Sequence, residues 1–563
     1  MNLSKPIATS LYVGVAAFFL LSVMAGLIGI IPPAFGFFPA LGFHKLSLSS
    51  WTQLLHTPGF FKMAGLSLWV GISSTVLSLF LALGTISSAW NKASWNRITH
   101  WLSPLLAIPH IALAFGLAFL IMPSGILTRV IALLAGWGAP PDWNTVKDPM
   151  GISLIMLLVI KETPFLIFVL INALQELPIN RLLGIGQSLG YTPWSCWVKL
   201  IWPRLYPMIR LPVFIVLSYS LSVVDIPLIL GPDTPPLFSV QVLYWLQDPD
   251  LSQQLPAAAG SITLFLLVSL AIGIFWVVEK LVSCFGKSWL TFGHRGYAFN
   301  VLPFLFLNTW RGLLVLFSGA LIALLIWSFV WRWRFPSLWP TQITLRNWQN
   351  AWPQLAEPVI NTLVIGLISA SLGVLLSIFM LESGNKFCSR IKPYLEKTLF
   401  IPMLLPQLSF LFGIQILMLK GNLDGYLWSV ILIHLLFVFP YCYLSLAGPW
   451  NHYDERHTTL ALLLTHSRLK AFWNIKLPML WKPIMASLSL GFAVSVAQYL
   501  PTLFAGAGRI TTITTEAVSL AGGNNRRLTS VYGLVQMLLP MIVYMLAMLS
   551  ARWSLLKLRK RLV

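Results

Sequence analysis

The sequence predicts an all-α polytopic membrane protein, with about twelve transmembrane helices arranged as two parallel six-helix repeats. Three observations predict it. Hydrophobic residues make up 57% of the 563 and charged residues only 9%, with a mean hydropathy of +0.80; a soluble chain of this length does not have that composition. Apolar runs of about 20 residues, enough to cross a hydrocarbon core of about 30 Å, recur along the chain. Patterns of the first half return in the second in a register that can be followed residue by residue.

Taken in order, the runs fall near 10–32, 63–88, 101–122, 150–174, 208–230 and 258–278, then 312–331, 359–381, 398–419, 427–447, 483–505 and 529–551. The first is followed by Ile31-Pro32-Pro33 rather than a small-residue cleavage site, so it is expected to remain as a helix. With the N-terminus inside, 25 of the 37 Lys and Arg face the cytoplasm, 11 face the other side and Lys161 lies within a span. This positive-inside bias sets both termini in the cytoplasm. The net charge of +21 then follows from topology, and the tail Lys557-Leu558-Arg559-Lys560-Arg561 reads as a lipid-surface anchor, not a nucleic-acid patch. Cys196, Cys284, Cys388 and Cys442 fall on or near the inner side without a CxxC pair, which indicates neither a disulfide framework nor a metal site.

The repeat explains the second set of six. Gly71 aligns with Gly366 at an offset of 295, and Pro109-His110 through Phe115-Gly116 aligns with Pro406-Gln407 through Phe412-Gly413 at 297. Pro164 aligns with Pro440 at 276, and the drop of 21 equals the shortening of the intervening outer loop from 28 residues to 7. Further on, Ser222-Val223-Val224-Asp225 matches Ser495-Val496-Ala497-Gln498, with Pro227 near the place of Pro501. The halves divide as 1–290 and 291–563. Six spans is an even number, so both halves enter from one side and are related by an axis along the membrane normal. A path for solute is then expected at their interface near the midplane.

Two inner loops, about 176–207 and 450–482, are too polar for lipid and too patterned for connectors. Leu189-Gly190-Tyr191-Thr192-Pro193-Trp194 running to Pro203, and Leu464-Thr465-His466-Ser467-Arg468 running to Leu477-Pro478, read as one amphipathic element written twice, 275 positions apart. Trp194, Trp197, Leu200 and Ile201 in the first copy, and Leu469, Phe472 and Trp473 in the second, could anchor a groove contact. Lys199, Arg204, Arg468, Lys470 and Lys476 would supply a basic rim. The same residues would suit an interfacial helix resting on headgroups.

These loops resemble the cytoplasmic EAA motif of permease subunits in binding-protein-dependent ABC importers: Glu-Ala-Ala, three residues, Gly, then an apolar stretch closing on Leu-Pro. In the first copy Gly190 and Pro203 fit, with Leu189, Pro193 and Trp194, while Gly184-Ile185-Gly186 stands where Glu-Ala-Ala is expected. In the second, Leu477-Pro478 and Ala461 fit, Thr459 replaces the Glu and Thr465 the Gly. Phe492 through Pro501 and Gly506, with Thr511 to Glu516, is similar to fused double permeases of the thiamine and ferric-iron branch. The resemblance implies a type I importer permease fold in the bacterial inner membrane. It also implies two copies of a separate ABC ATPase subunit that bind the ATP, and a periplasmic solute-binding protein.

No ATPase is expected on the chain itself: Gly286-Lys287-Ser288 imitates the end of a phosphate loop, but Leu281 stands where its first Gly must be. No enzyme chemistry, resident cofactor or metal is indicated. Polar residues inside spans are the functional candidates, because a charge at mid-bilayer costs at least about 2.5 kcal/mol. Lys161 and Glu162 precede Pro164 in the fourth span, either lining a path or buried for packing; as sequence neighbours they point about 100° apart. Asp225 and Gln498 hold matching places late in spans five and eleven, facing a central path or, for Asp225, ending a helix near the outer surface. His110 and His434 read as packed or interfacial. Outside, Trp331-Arg332-Trp333-Arg334-Phe335 and Trp339 suit an aromatic belt, and Asp248-Pro249-Asp250 and Arg526-Arg527 could contact a soluble partner.

The function expected is a permease that forms the translocation path and takes its energy from separate ATPases. The alternative is a gradient-driven transporter with two six-helix halves, which would need no inner loops; a structural scaffold would carry no solute.

Overall fold

The computed structural model describes residues 5–293, 295, 301–387, 392–523 and 525–562; Cys388 lies outside them. Among the described residues ten helices are long and apolar enough to cross a membrane, or twelve if each of two sharply bent pairs is one span. The all-helical class expected from composition is the class observed, apart from one short antiparallel pairing given below.

The first half contains α1 (Lys5–Ala34), α2 (Phe60–Ala89), α3 (Ala93–Ala107), α4 (His110–Ile121), α5 (Ile126–Ala135) and α6 (Ile152–Leu174). Then follow α7 (Ile179–Ser188), α8 (Trp202–Ser222), α9 (Pro227–Leu230), α10 (Phe238–Leu246) and α11 (Gln254–Thr291). The second half contains α12 (Val301–Phe329), the paired strands β1 (Val330–Arg332) and β2 (Gln342–Ile343), and α13 (Arg346–Phe387). Its remainder comprises α14 (Gln407–Lys420), α15 (Leu427–Asn451), α16 (Arg456–Thr465), α17 (Trp481–Val496), α18 (Leu500–Gly506) and α19 (Arg526–Leu562). The phosphate-loop imitation at 286–288 lies inside α11 and forms no loop.

Four spans expected to run unbroken do not. The runs 101–122 and 398–419 each stop before a proline, with Ile108 and Leu405 in extended conformation ahead of Pro109 and Pro406. A proline ring disfavours helical backbone in the residue before it. The break in the second half bends the chain by 97° between 396–404 and 407–420. The runs 208–230 and 483–505 likewise stop, at Val223 and at Ala497, and restart as α9 and α18 with Pro227 and Pro501 in their first turns, where a missing N–H costs nothing. Broken helices are thus a repeated property of both halves.

The repeated glycines show how the halves interlock. Lipid offers no apolar driving force between helices, so close backbone approach through small residues does the work. A Cβ on Gly413 of α14 would stand 1.8 Å from the carbonyl oxygen of Gly26 in α1, and one on Gly116 of α4 would stand 2.3 Å from that of Ala320 in α12. α1 packs against α13 and α14 as well as α11, and α12 against α2 and α4 as well as α19. The spans holding α4, α6 and α15 are central, with 72% of their apolar windows buried, whereas that of α11 is 22% buried and peripheral.

Candidate functional site

The two duplicated loops fold alike. In the first, α7 is followed by Gly190 in the left-handed region (φ +83°), Thr192 caps the helix Pro193–Cys196 by accepting from the Ser195 backbone, and the chain continues as a π-helical turn over Trp197–Ile201 into α8. In the second, α16 ends at Thr465, Ser467 caps Arg468–Ala471 by accepting from the Lys470 backbone, and a π-helical turn covers Phe472–Lys476. The two π turns, 275 positions apart, wind two segments of unrelated side chains the same way; such turns concentrate at functional sites. The left-handed residue of the second loop is His466 (φ +48°), not Thr465. Thr465 instead donates its hydroxyl to the Ala461 carbonyl at 2.7 Å, so the counterpart of Gly190 sits one residue later than sequence alignment puts it.

The outer surfaces of these loops differ from expectation. Trp197 and Ile201 are buried, and Trp194 is half-buried, stacked on Phe306 of α12 at 5.5 Å. Lys199 is buried too, donating to the Phe292 carbonyl at 3.1 Å and lying 4.8 Å above the Trp289 ring. Lys476, 2% exposed, bridges Glu382 of α13 at 2.8 Å and Glu455 at 2.5 Å. Neither lysine belongs to a basic rim; both fasten a loop to its neighbours. Arg204, Arg468 and Lys470 are exposed, as are Pro193 and Pro203, while Ala461 and Leu477 are buried and Pro478 half-buried. The exposed large apolar groups are Leu189 (60%) with its match Leu464 (84%), and Ile185 with its match Leu460, joined in the second loop by Leu463, Leu469, Trp473 and Met479. Ile185 occupies the middle of the degenerate Gly184-Ile185-Gly186, a place where motif comparison sees only a loss.

A second set of polar groups surrounds the helix breaks. Lys161 is buried and donates to the carbonyls of Leu105 (3.0 Å) and Ile108 (2.7 Å), where α3 stops before Pro109. Its charge thus serves the helix break. Glu162, 6% exposed, meets His110 Nε2 at 3.4 Å, and the His110 ring lies 5.3 Å from that of Tyr219 on α8. Tyr441 of α15 packs against the buried cluster of Ile215, Phe400 and Met403, which brings it beside α8. Asp225 is half-buried in the break between α8 and α9. The matched Asp225 and Gln498 thus sit at matched helix breaks. In the second half Phe437 and Val438 stand where register puts partners of Lys161 and Glu162, so the charges belong to one half only. His434 is fully buried between Ser495 (2.8 Å) and Thr502 (2.9 Å) and braces the break around Gln498.

Arg129 of α5 clasps the segment that follows β1. It is 1% exposed and donates to the carbonyls of Arg334 (2.8 Å), Ser337 (2.6 Å) and Trp333 (3.3 Å), with the Trp333 ring 4.4 Å from its guanidinium. Trp333 and Phe335 thus stack on the Arg129 guanidinium, while Trp339 is exposed. Arg526 donates to Ser124 Oγ at 2.9 Å and Arg527 covers the Trp331 ring. Asp248 and Asp250 fold onto their own turn, where the Ser252 hydroxyl and N–H hold Asp250 below the usual carboxylate range. The outer charges singled out from sequence are thus engaged within the chain.

His110, Tyr219, Tyr441 and Arg129 were not legible as site residues. Tyr441 follows Pro440, the match of Pro164, which was the only available pointer to it. The partners of Arg129 are main-chain carbonyls some 200 positions away, and carbonyls leave no residue-type pattern.

No protein-family model matches the chain. It is similar to the inner membrane ABC transporter permease protein YnjC of Escherichia coli (strain K12), with 32% identity over 510 residues covering 90% of this chain and 91% of that one. It is also similar to a spermidine/putrescine transport system permease protein PotC homolog of Mycoplasma genitalium, with 26% identity over 172 residues, 30% of this chain and 60% of that one.

Proposed function

The chain belongs to the family of ABC transporter permeases, a multi-pass protein of the inner membrane, and on that premise we propose that it is a fused double permease that couples two ATPase subunits to solute import. In this reading residues 1–290 and 291–563 are its two permease halves, both termini are cytoplasmic, and ATP is bound by the partner subunits. A solute-binding protein delivers cargo to the outer face. Closure of the ATPase pair moves the two loops, and the loops rock the halves about the space between them. The family sets aside the gradient-driven alternative.

The observation that carries this is the matched exposure of Leu189 with Leu464 and of Ile185 with Leu460, beside two π turns of the same length. Apolar groups at repeat-related positions of polar loops fit a partner with repeat-related grooves better than a lipid surface. Leu189→Asp with Leu464→Asp is expected to abolish co-purification of the ATPase subunit and uptake together, while the chain still folds. Unimpaired uptake in that double variant, or uptake without any ATPase, overturns the proposal.

A further inference from the structure

The segments that follow α1 and α12 close on the ends of those helices in the same way. After α1 the Ser47 backbone N–H donates to the Phe35 carbonyl at 2.8 Å, and the Phe35 ring lies 5.8 Å from that of Trp51. After α12 the Thr344 N–H donates to the Phe329 carbonyl at 2.8 Å, and the Phe329 ring lies 5.9 Å from that of Trp348. Ser47 and Thr344, like Trp51 and Trp348, are 297 positions apart, the same register as Pro109 and Pro406. What the two closures enclose differs. After α12 the returning strand β2 pairs with β1. After α1 the chain makes a single bridge, Phe38 with Phe43, and a groove of about 720 Å³ remains, lined by Ile31, Phe35, Phe37 and Leu46 with His44 and Lys45 beside them.

Position and charge name the occupant. The apolar stretch of α1 runs to Ala34, which puts Ile31 and Phe35 at the edge of the hydrocarbon. The four apolar lining residues are between 38% and 75% exposed, a concentration of apolar surface that marks an interaction site, and it is continuous with the lipid-facing surface of α1. Lys45 is exposed and forms no ion pair among the described residues, and no Asp or Glu precedes Asp142 in the chain. We propose that the groove is a specific site for an acidic phospholipid of the bilayer, its acyl chain against Ile31, Phe35, Phe37 and Leu46 and its headgroup phosphate at Lys45 and His44. An acyl chain gains little by leaving neighbouring lipid for an apolar wall, so selection rests on the headgroup. A zwitterionic lipid brings its own cation to compete with Lys45, and a free polar anion would leave the apolar walls uncovered.

The test is photo-crosslinking of the full-length chain in phosphatidylcholine nanodiscs doped with a lipid that carries a diazirine in its acyl chain, either as phosphatidylglycerol or as phosphatidylcholine, with adducts located by mass spectrometry. Adducts on residues 31–46 are expected to be about fivefold more abundant with the phosphatidylglycerol probe, the effect of one lysine at an anionic surface. Adducts on the exposed 266–278 stretch of α11 should show no headgroup preference. Lys45→Glu should abolish the preference at 31–46 without lowering the thermal midpoint, and Lys45→Arg should keep it. Three results overturn the proposal: no adduct on 31–46, as for a groove that stands in water and receives a soluble partner; equal yields from the two probes; or a preference that survives Lys45→Glu.

Discussion

Replacing Lys476 with Met tests how the second inner loop is fastened to the span it would move. The Lys476 ammonium lies 2.8 Å from Glu382 and 2.5 Å from Glu455, which puts the two carboxylates at most about 5 Å apart, where like charges repel by about 3 kcal/mol at an effective dielectric of about 20. Glu455 is half exposed and Glu382 little exposed, so solvent screens part of that. The lost bridge adds to it, and a net loss of about 3 kcal/mol is expected. The assay is native-state amide exchange over residues 456–479 in nanodiscs. Opening of the loop should be on the order of a hundredfold easier in Lys476→Met. Adding Glu455→Gln removes the like-charge pair and should recover part of the loss, the signature of a coupled pair. Exchange within about threefold of wild type in the single variant, or no recovery in the double, refutes the strut.

Gly413→Ala places a methyl 1.8 Å from the Gly26 carbonyl; overpacking of this kind costs about 1–3 kcal/mol or more and should lower the thermal midpoint of the full chain, whereas Gly448→Ala, with nothing within 4 Å, should leave it unchanged. Arg129→Ala strips its donors from four part-buried carbonyls, those of Ser124, Trp333, Arg334 and Ser337, and should cost about 2 kcal/mol, read as faster proteolysis of the 331–345 segment. Arg129→Lys should not rescue it, because one ammonium cannot reproduce a planar fork. Trp197→Ala should destabilise the chain by about 3–5 kcal/mol as a core truncation, while Trp473→Ala, exposed at 63%, should leave thermal stability unchanged and weaken ATPase co-purification.

Composition and hydropathy carried the helical class and the number of spans, because lipid imposes one rule on every residue of a span. The repeat register located the interlocking glycines and the prolines of the broken helices. It could not say that Pro109 and Pro406 interrupt helices, since an apolar run reads the same whether continuous or broken. The inner loops were legible as a duplicated element through Leu189, Leu464 and the closing prolines. Their interior was not: Lys199 and Lys476 looked like surface charges because their partners, the Phe292 carbonyl and Glu382, lie about 93 and 94 positions away in the chain. The path candidates were half legible, with Asp225 and Gln498 found by register. Tyr219 and Tyr441 have no periodicity that marks them, and only the packing of α15 beside α8 relates them.

The central claim is that both inner loops meet ATPase subunits on one face of the membrane. It is tested most directly by cysteine cross-linking from Leu189→Cys and, separately, Leu464→Cys, in a chain whose exposed Cys284 has been replaced, to the co-expressed ATPase subunit in native membranes. Adducts of similar yield from both positions, formed only with reagent that has access to the cytoplasmic side, are predicted. An adduct from one position alone, or labelling of the two positions from opposite sides of the membrane, would contradict the account.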